Sequence, residues 1–362
     1  MKKSLIALAI ASAVSAPAFA ATSNVDVYGV LNLSVNWYND QFDSSDIQVT
    51  SNASRIGFKG SEDLGGGLSA IWQIESGINA DEGNGTFASR NTFVGLSGGW
   101  GTALLGKHDT PFKLVGRSVD LFGDTIADSR NLMGSNLGLG SSDMRANNVI
   151  AYVSPNFSGF NVVAAYSTDP VNSTSAPDGF STNPAVVGNT DVLTINGTYT
   201  NGPLYLGAAY STGDGLKNYL AQDDNWRFAA GYTLGDFRIV GQYDQYNASS
   251  GASNPLDIPD YSAWMVGGSY TMGAMVFKAD YISGSFDNCD SADICDPDQW
   301  AIGMDYNLSK RTTVYGLYAS GHTVLGLGAG DSDINASIDG YSLSTGDLGS
   351  VGGFALGIKH SF

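Results

Sequence analysis

Basic side chains recur at alternate positions in segments whose other positions are apolar. In residues 54–61, Ile56 and Phe58 alternate with Arg55 and Lys59. Successive side chains of a β-strand point to opposite faces, so the two basic groups share the face opposite the two apolar ones. Charged groups along one wall of a narrow opening can sort solutes by size, dipole and charge.

The same alternation can be used to orient other basic side chains. If Phe93 and Gly95 face outward, Arg90 faces inward, and if Ile150 faces outward, Arg145 faces inward. An arginine that faced lipid at the bilayer midplane would cost roughly 2–4 kcal/mol, so the inward placement is favoured. Four more basic side chains follow this parity: Arg227, Arg238, Lys278 and Lys359.

The longest early loop, residues 108–144, carries acidic groups that could face these cations. A loop of this length inside a compact domain usually has a function. If it folds into a barrel, its carboxylates can set a transverse field across a narrow opening. Alternatively, the inward arginines only form salt bridges that stiffen the wall. The predicted constriction residues are the basic Arg55, Lys59, Arg90, Arg130 and Arg145 and the acidic Asp120, Asp124 and Asp128.

Catalytic and metal chemistry find little support in the sequence. No convincing triad emerges around His108, His322 or His360, and a covalent mechanism needs a nucleophile, a base and an orienting group. We therefore expect no enzymatic activity, no cofactor and no metal. The two cysteines, Cys289 and Cys295, lie six positions apart in an acidic loop. In an oxidising compartment such a pair most readily closes a small disulfide.

Alternating segments recur along the chain and predict sixteen strands. They are residues 25–37, 52–61, 67–79, 89–98, 101–108, 145–154, 159–168, 191–200, 203–212, 225–234, 236–246, 261–271, 274–283, 299–308, 311–320 and 352–362. Seven tight turns alternate with eight long polar loops, which lie near residues 39–51, 80–88, 109–144, 169–190, 213–224, 247–260, 284–298 and 321–351. This asymmetry predicts an all-β fold, a transmembrane antiparallel β-barrel of 16 strands with an inward-folded third extracellular loop.

The two ends of the chain predict export and closure. A basic start, a short apolar stretch and an A-F-A run ending at Ala20 are typical of a secretory signal peptide. We expect residues 1–20 to be removed and residues 21–362 to form a single barrel domain. The alternating last segment ends at Phe362 and suits a final strand that must close the barrel, because lipid offers no partner to backbone groups.

Composition agrees with a membrane barrel and excludes one class of partner. The formal net charge of −18 makes the chain a poor candidate for nucleic-acid binding. The chain has 47 glycines, 18 tyrosines and only 10 prolines, and its mean hydropathy is near zero, as expected when one strand face meets lipid and the other water. A soluble β-sandwich would not need such regular hairpin order. We therefore expect a multi-pass protein of the Gram-negative outer membrane.

Several motifs together resemble the Gram-negative trimeric general diffusion porins. They lie in residues 54–65 (SRIGFKGSEDLG), 106–112 (GKHDTPF), 145–152 (RANNVIAY) and 154–160 (SPNFSGF), with an aromatic terminus at Phe362. The resemblance implies a sixteen-stranded barrel, a homotrimer and a third loop bent inward. It also implies a water-filled channel for passive diffusion of ions and small hydrophilic solutes.

On this resemblance, Arg55 and Arg90 look like the eyelet arginines of the family, and Arg145 lies where the family has another basic cluster. The long loop lacks the family's Pro-Glu-Phe-Gly-Gly-Asp stretch. The implied partners are outer-membrane lipids, lipopolysaccharide, and the barrel-assembly machinery through the strand ending in Phe362. A substrate-specific channel for oligosaccharides or phosphate on the same barrel is the alternative function.

Overall fold

The fold is one antiparallel sheet, seen here in a computed structural model of the protein. The structure describes residues 24–39, 45–133, 142–170, 191–214, 222–248, 260–287, 296–322 and 350–362. The strands are β1 (Asn24–Asn39), β2 (Ser45–Ser51), β3 (Arg55–Gly65), β4 (Leu68–Gly77), β5 (Thr92–Gly98), β6 (Gly101–Asp109), β7 (Arg145–Val153), β8 (Phe160–Ser167), β9 (Val192–Asn201), β10 (Leu204–Thr212), β11 (Gln222–Leu234), β12 (Phe237–Ala248), β13 (Tyr261–Met272), β14 (Met275–Phe286), β15 (Asp298–Asn307), β16 (Thr312–His322) and β17 (Ser350–Ser361). Helix α1 (Pro111–Arg117) and a 3-10 helix (Ser129–Asn131) lie between β6 and β7.

The sheet closes on itself between its last and first strands. Apart from β2 and β3, consecutive strands pair antiparallel, and β17 pairs with β1, where Val30 lies opposite Ser361. The seam extends to Gly29, whose N–H donates to the carbonyl oxygen of Phe362 at 3.1 Å. Closure gives the strands backbone partners on both sides, as an apolar environment requires. The predicted closed antiparallel barrel is confirmed.

β2 and β3 occupy a single position in the barrel. Both pair with β1, with Leu33 opposite Ser51 of β2 and Val30 opposite Arg55 of β3. The two halves are separated by a short break in which Ala53 has a φ of 53°. The seventeen strand segments therefore fill sixteen barrel positions. The prediction that residues 39–51 form a loop was wrong for Ser45–Ser51, because the break hides the continuity of the strand.

The two faces of the wall differ in chemistry as predicted. On β1, Val25 and Val27 are exposed on the outer face, whereas Asn32 and Asn36 are buried on the inner face. Ladder pairing carries this alternation around the barrel, so Leu356 of β17 is again exposed outside. The outer surface is apolar and suits acyl chains, while the inner surface is largely polar on β1 to β4.

In β5, the assignment of faces made from the sequence was wrong. Val94 and Leu96 are exposed on the outer face, so Phe93 and Gly95 point inward. The ring centroid of Phe93 lies 5.5 Å from that of His108. Both alternating sets of this short strand contain apolar residues, so hydrophobicity alone did not distinguish the faces.

The short turns, the start of β1 and the end of β17 lie at one end of the barrel, which we call the turn side. Between β3 and β4, Gly65, Gly66 and Gly67 have φ values of 84°, 62° and 77°, which other residues adopt only with strain. Gly235 and Gly273 have the same handedness between β11 and β12 and between β13 and β14. The strand ends that lead into the long connections lie at the opposite end, the loop side.

Some predictions fall on parts of the chain without a described structure. Cys289, Cys295 and residues 1–20 lie outside the described residues. Within the described ranges, no helix combines the length and apolar character needed to cross a membrane.

Apolar packing on one side of the interior involves the β6–β7 loop. Phe112, Val115 and Phe122 of this loop are fully buried. They belong to a cluster that includes inward-facing wall residues such as Ala209 of β10 and Ala319 of β16. This packing leaves the polar inner faces of β1 to β4 beside the other side of the loop.

Candidate functional site

The β6–β7 loop begins with a helix that the sequence specifies locally. Thr110 caps α1, because its Oγ1 accepts a hydrogen bond from the Lys113 N–H at 3.2 Å. Pro111 occupies the first turn, where a missing N–H costs nothing and the fixed φ favours a helix. A second cap, the carboxylate of Asp128, begins the 3-10 helix by accepting from the Arg130 N–H at 3.0 Å.

Hydrogen bonds join this loop to inward-facing side chains of distant strands. Asn196 of β9 donates to the carbonyl of Pro111 at 2.8 Å. The amide of Asn131 donates to Gln299 Oε1 of β15 at 2.9 Å. Tyr261 of β13 adds a hydrogen bond to a loop carbonyl at 2.8 Å. Because these strands lie far apart around the wall, the bonds fix the loop at several points.

Arg227 of β11 is the main buried anchor of the loop. Its guanidinium donates to the carbonyl oxygens of Phe112 at 3.1 Å and Met133 at 2.6 Å. It also forms ion pairs with Asp143 of the loop and with Asp244 of β12, the latter at 2.6 Å. The Arg227 side chain has no solvent exposure. One cation thus ties both ends of the loop to the wall.

Arg117, at the end of α1, gathers the three aspartates predicted from the loop. Its guanidinium donates to Asp128 at 2.8 Å and to Asp124, and it lies 3.6 Å from an Asp120 carboxylate oxygen. The amide of Asn32 on β1 donates to the Asp124 carbonyl at 2.9 Å. The aspartates are therefore held against one arginine of their own loop.

One positive charge cannot neutralise three carboxylates, and Asp120 is the least well satisfied. Burial and repulsion by Asp128 raise the pKa of Asp120 to about 7, against the lowering effect of Arg117. Arg117 lies within ion-pair distance of Asp120, but its short hydrogen bonds go to Asp124 and Asp128. We therefore assign the proton to Asp120 at neutral pH and below.

Arg55 and Lys59 of β3 are the predicted basic residues that stay accessible. Arg55 Nη1 lies 3.7 Å from an Asp124 carboxylate oxygen and donates to the Ala53 carbonyl at 2.9 Å, yet its side chain keeps 23% exposure. Lys59 is exposed, with its Nζ 5.3 Å from the centre of the Tyr28 ring. At this point the structure brings together the predicted wall and loop residues.

Arg90 faces the interior but is buried in a pair. Its Nε donates to Glu75 Oε1 of β4 at 2.7 Å, and the Tyr28 hydroxyl donates to the other carboxylate oxygen at 2.9 Å. Arg90 precedes β5, so its direction follows from this pair and not from strand parity. Sequence reasoning did not single out Glu75, although it lies on an inward-facing position of β4.

Arg130 and Arg145 are further from the role predicted for them. Arg145 Nε lies 3.3 Å from Asp109, which also forms an ion pair with Lys113 at 3.2 Å and accepts a hydrogen bond from Asn91 at 3.1 Å. Arg130 Nε donates to Asp143 at 2.8 Å. The side chains of both arginines are almost completely buried. They fasten the two ends of the β6–β7 loop to each other and to the wall.

The structure also reveals site residues that the sequence did not identify as such. Arg117 lies three, seven and eleven positions before the three aspartates, a spacing that could have suggested their common partner. Asp244 lies directly opposite Arg227 in the β11–β12 hairpin, so the tight turn between these strands could have suggested that pair. Asp143 offers no such signal, because it meets Arg227 only through the fold. In the described part of the chain, no group of three histidine, cysteine or acidic side chains is arranged to hold a metal ion.

The closed barrel with a polar, charged interior can be compared with known proteins. A profile of the Gram-negative porin family matches residues 7–324. The chain belongs to this family. The porin is 32% identical to outer membrane porin protein 32 of Delftia acidovorans, with all of both chains covered. It is 30% identical to the major outer membrane protein P.IB of Neisseria gonorrhoeae, over 86% of this chain and 91% of that one.

A solved structure supports the same assignment. The anion-selective porin from Comamonas acidovorans has a TM-score of 0.71 and 26% identity, and the match covers 94% of this porin and 100% of that chain. Family membership and the barrel place the porin in the Gram-negative outer membrane, which its strands cross many times. It is a channel for passive diffusion.

Proposed function

We propose that the channel is narrowest between the β6–β7 loop and the inner face of β3, and that this constriction favours small anions. The contact between Arg55 and Asp124, at 3.7 Å, is the observation that carries the position. It joins the wall to the loop where Arg117 also pairs with Asp124, and Lys59 lies four positions further along the same face of β3. Solutes that pass here therefore meet charged groups at short range.

The preference for anions rests on which charges reach the solvent. The side chains of Asp120 and Asp128 are 1% and 0% exposed, and that of Asp124 is 9% exposed. By contrast, Arg55 keeps 23% and Arg117 30% of its side-chain exposure. The buried carboxylates lie farther from a passing ion than the exposed cations do, so their effect on it is weaker. The electrostatic potential at the opening is consequently positive, although the chain as a whole is acidic.

The anion-selective porin of Comamonas acidovorans gives independent support, because its identity to this chain extends over nearly the whole barrel. Passive diffusion without tight binding is the simplest behaviour for such a water-filled lumen. Oligosaccharide- or phosphate-specific transport remains the alternative on the same scaffold.

The reversal potential across a planar bilayer that holds the purified protein tests the proposal. With a potassium chloride gradient, we expect ohmic conductance and a potential of the sign given by excess chloride permeability. A potential that indicates excess potassium permeability would refute the anion preference. Block of the current by micromolar sugar or phosphate would instead favour the substrate-specific alternative.

We also propose that the porin is a homotrimer in contact with lipopolysaccharide and lipids, exported after loss of residues 1–20. Family membership supports the oligomer, and the terminal Phe362 supports delivery by the barrel-assembly machinery. Native mass spectrometry in detergent should give a trimer, and the intact mass should correspond to residues 21–362. If Cys289 and Cys295 form a disulfide, that mass should be lower by two hydrogens than the reduced chain.

A further inference from the structure

A cavity of about 410 Å³ lies on the turn side of the β6–β7 loop. It is bounded by the loop at Arg117 and by inward-facing residues such as Lys278 of β14 and Lys359 of β17. Lys310 and Arg311, in the short turn between β15 and β16, reach its open end. We call this space the turn-side chamber. At about 30 Å³ per water molecule, it has room for a small organic anion and several waters.

The chamber holds more basic than acidic side chains, and its acids are already paired. Asp120 and Asp124 are engaged by Arg117, and Asp305 lies 2.9 Å from Lys278 Nζ. Five basic residues line the chamber against these three acids. With Asp120 protonated, the imbalance increases further.

Lys359 is the most informative of these cations. It points inward from β17, and among the described residues it forms no ion pair within 4.0 Å and no hydrogen bond through its ammonium group. Its electrostatic neighbours include Arg55, Arg117 and Lys278, all of the same sign, with Asp124 as the acidic counterpart. A partly buried ammonium group among other cations is best compensated by an anion.

From the cavity, the charge imbalance and the unpaired ammonium, we propose that the turn-side chamber binds small organic anions with two or more carboxylates. A polyvalent anion can contact Lys359 and a second cation such as Arg311 at once, whereas a monovalent anion satisfies only one of them. The site rests on the proposed anion-permeable channel, because the ligand must enter the lumen to reach it. The chamber adjoins the constriction, with which it shares Arg117, Asp120 and Asp124, and it extends toward the turn side.

The test is single-channel recording in potassium chloride with citrate as the probe, added to one compartment and then to the other. We expect a saturable fall in conductance that needs less citrate from the turn side than from the loop side. Acetate at the same concentration should cause no saturable fall. The Lys359→Gln variant should need roughly fivefold more citrate for the same effect, as expected from the loss of one charged contact.

Three variants control the experiment. Lys359→Arg keeps the charge and should retain the wild-type citrate response. His360→Gln changes the neighbouring residue on the outer face and should also leave the response unchanged. Arg311→Gln lies in an exposed turn, tolerates substitution, and should weaken citrate binding even if Lys359→Gln folds poorly.

The experiment distinguishes failure of the proposed channel function from failure of the chamber site. If the wild-type protein forms no open channels, or prefers cations, the proposed function is refuted. If it conducts anions but citrate causes no saturable fall, or acts equally on wild type, Lys359→Gln and Arg311→Gln, the chamber site alone is refuted.

Discussion

At the scale of single residues, exposure separates the arginines that the sequence treats alike. Arg55 and Arg90 both point inward, but Arg90 is 8% exposed and bonded to Glu75, whereas Arg55 remains accessible beside Asp124. The Glu75 carboxylate offsets the charge of Arg90 at 2.7 Å, so Arg90 acts on passing ions less than Arg55 does. The two arginines should therefore respond differently to neutralisation.

Arg55→Gln should shift the channel toward cations. A unit charge about 4 Å from an ion in water contributes about 1 kcal/mol, so we expect a roughly two- to fivefold fall in the anion-to-cation permeability ratio. Arg90→Gln should change this ratio less and lower the melting temperature more, because it leaves the buried Glu75 carboxylate unpaired. Reversal potentials and thermal unfolding of the two variants provide the measurement. Equal shifts in selectivity would contradict the assigned exposures.

Asp120 should make the selectivity depend on pH. Its pKa is raised to about 7, so lowering the pH through that value removes one negative charge beside Arg117. The anion preference should increase as the pH falls from 8.5 to 5.5. Asp120→Asn should show the acid-side preference throughout this range. A wild-type profile that is flat across pH 7 would contradict the assignment of the proton.

The raised pKa of Asp120 also makes the stability of the folded protein depend on pH. Because the pKa of Asp120 is higher in the folded protein than its value of 3.8 in an unfolded chain, protonation favours the folded state. This contribution is complete below about pH 3.8 and is lost as the pH rises through about 7. Asp120→Asn should thus unfold at a higher temperature than wild type at pH 8.5. At pH 5 the two proteins should differ less.

Alternation in the sequence was enough to predict which face of the sheet several of these residues occupy. It did not predict which side chains they contact. The inward direction of Arg55, Lys59 and Arg227 follows from a period of two, which is a local property. The contact between Arg227 and Asp143 does not, because Asp143 is 84 positions away in sequence. Whether a basic residue lines the opening or anchors the loop depends on these long-range contacts.

At the scale of elements, the β6–β7 loop is held by a small number of buried polar contacts. Arg227→Met should remove the cation between Asp143 and Asp244. Asp143 would keep its ion pair with Arg130, whereas Asp244 would lose its cationic partner. Loss of one partner from a buried pair typically costs about 3–5 kcal/mol. We expect a large fall in unfolding free energy, and current fluctuations as the loop loses its anchor.

Arg238→Met is a matched control for Arg227→Met. Arg238 lies on the adjacent strand and also faces inward, but it donates to one loop carbonyl, that of Ser118 at 2.6 Å, from an exposed position. Its replacement should cost much less stability and leave the current steady. Similar effects of the two substitutions would show that Arg227 is not the principal anchor.

Helix α1 approaches Arg227 through a glycine. A Cβ on Gly116 would clash with Nη1 of Arg227 and would lie 3.0 Å from its Cζ. Because the guanidinium is held by several bonds, it cannot move aside cheaply. Gly116→Ala should therefore lower the melting temperature, and the effect should be smaller in the Arg227→Met background. Additive effects in this double-mutant cycle would argue against the contact.

Strands were easier to predict than their irregularities. The regular hairpins, with turns such as Gly235 and Gly273, could be located from alternation and turn residues. The strand segment Ser45–Ser51 was missed because the break around Ala53 resets the alternation. The faces of β5 were inverted because Phe93 is apolar yet packs inside. The second error arises because an apolar side chain of a barrel strand can either pack inside the barrel or face lipid.

At the scale of the whole molecule, barrel closure depends on the seam between β1 and β17. Gly29 lies under the terminal aromatic ring, since a Cβ there would clash with the Phe362 ring and lie 2.7 Å from the Arg55 carbonyl. Gly29→Val should reduce the fraction of protein that folds. The measurement is the change in gel mobility between unheated and boiled samples in detergent.

Gly241→Val is the control for this substitution. Gly241 lies on the outer face of β12, and its nearest neighbour for a Cβ is the Met265 carbonyl oxygen at 3.5 Å. This variant should fold like wild type. If both valine variants fold equally well, close packing at the seam is not needed for closure.

The pairing of β1 with β17 also has a consequence for how the protein is made. Hairpins along the chain can form from neighbouring residues, but the seam joins the first strand of the barrel to the last. The entropy lost on closing so long a loop grows only slowly with length, so the equilibrium cost is modest. The rate suffers more, because folding slows as contacts become less local in sequence. Until Phe362 arrives, a nascent sheet with two unpaired edges must be kept from aggregating.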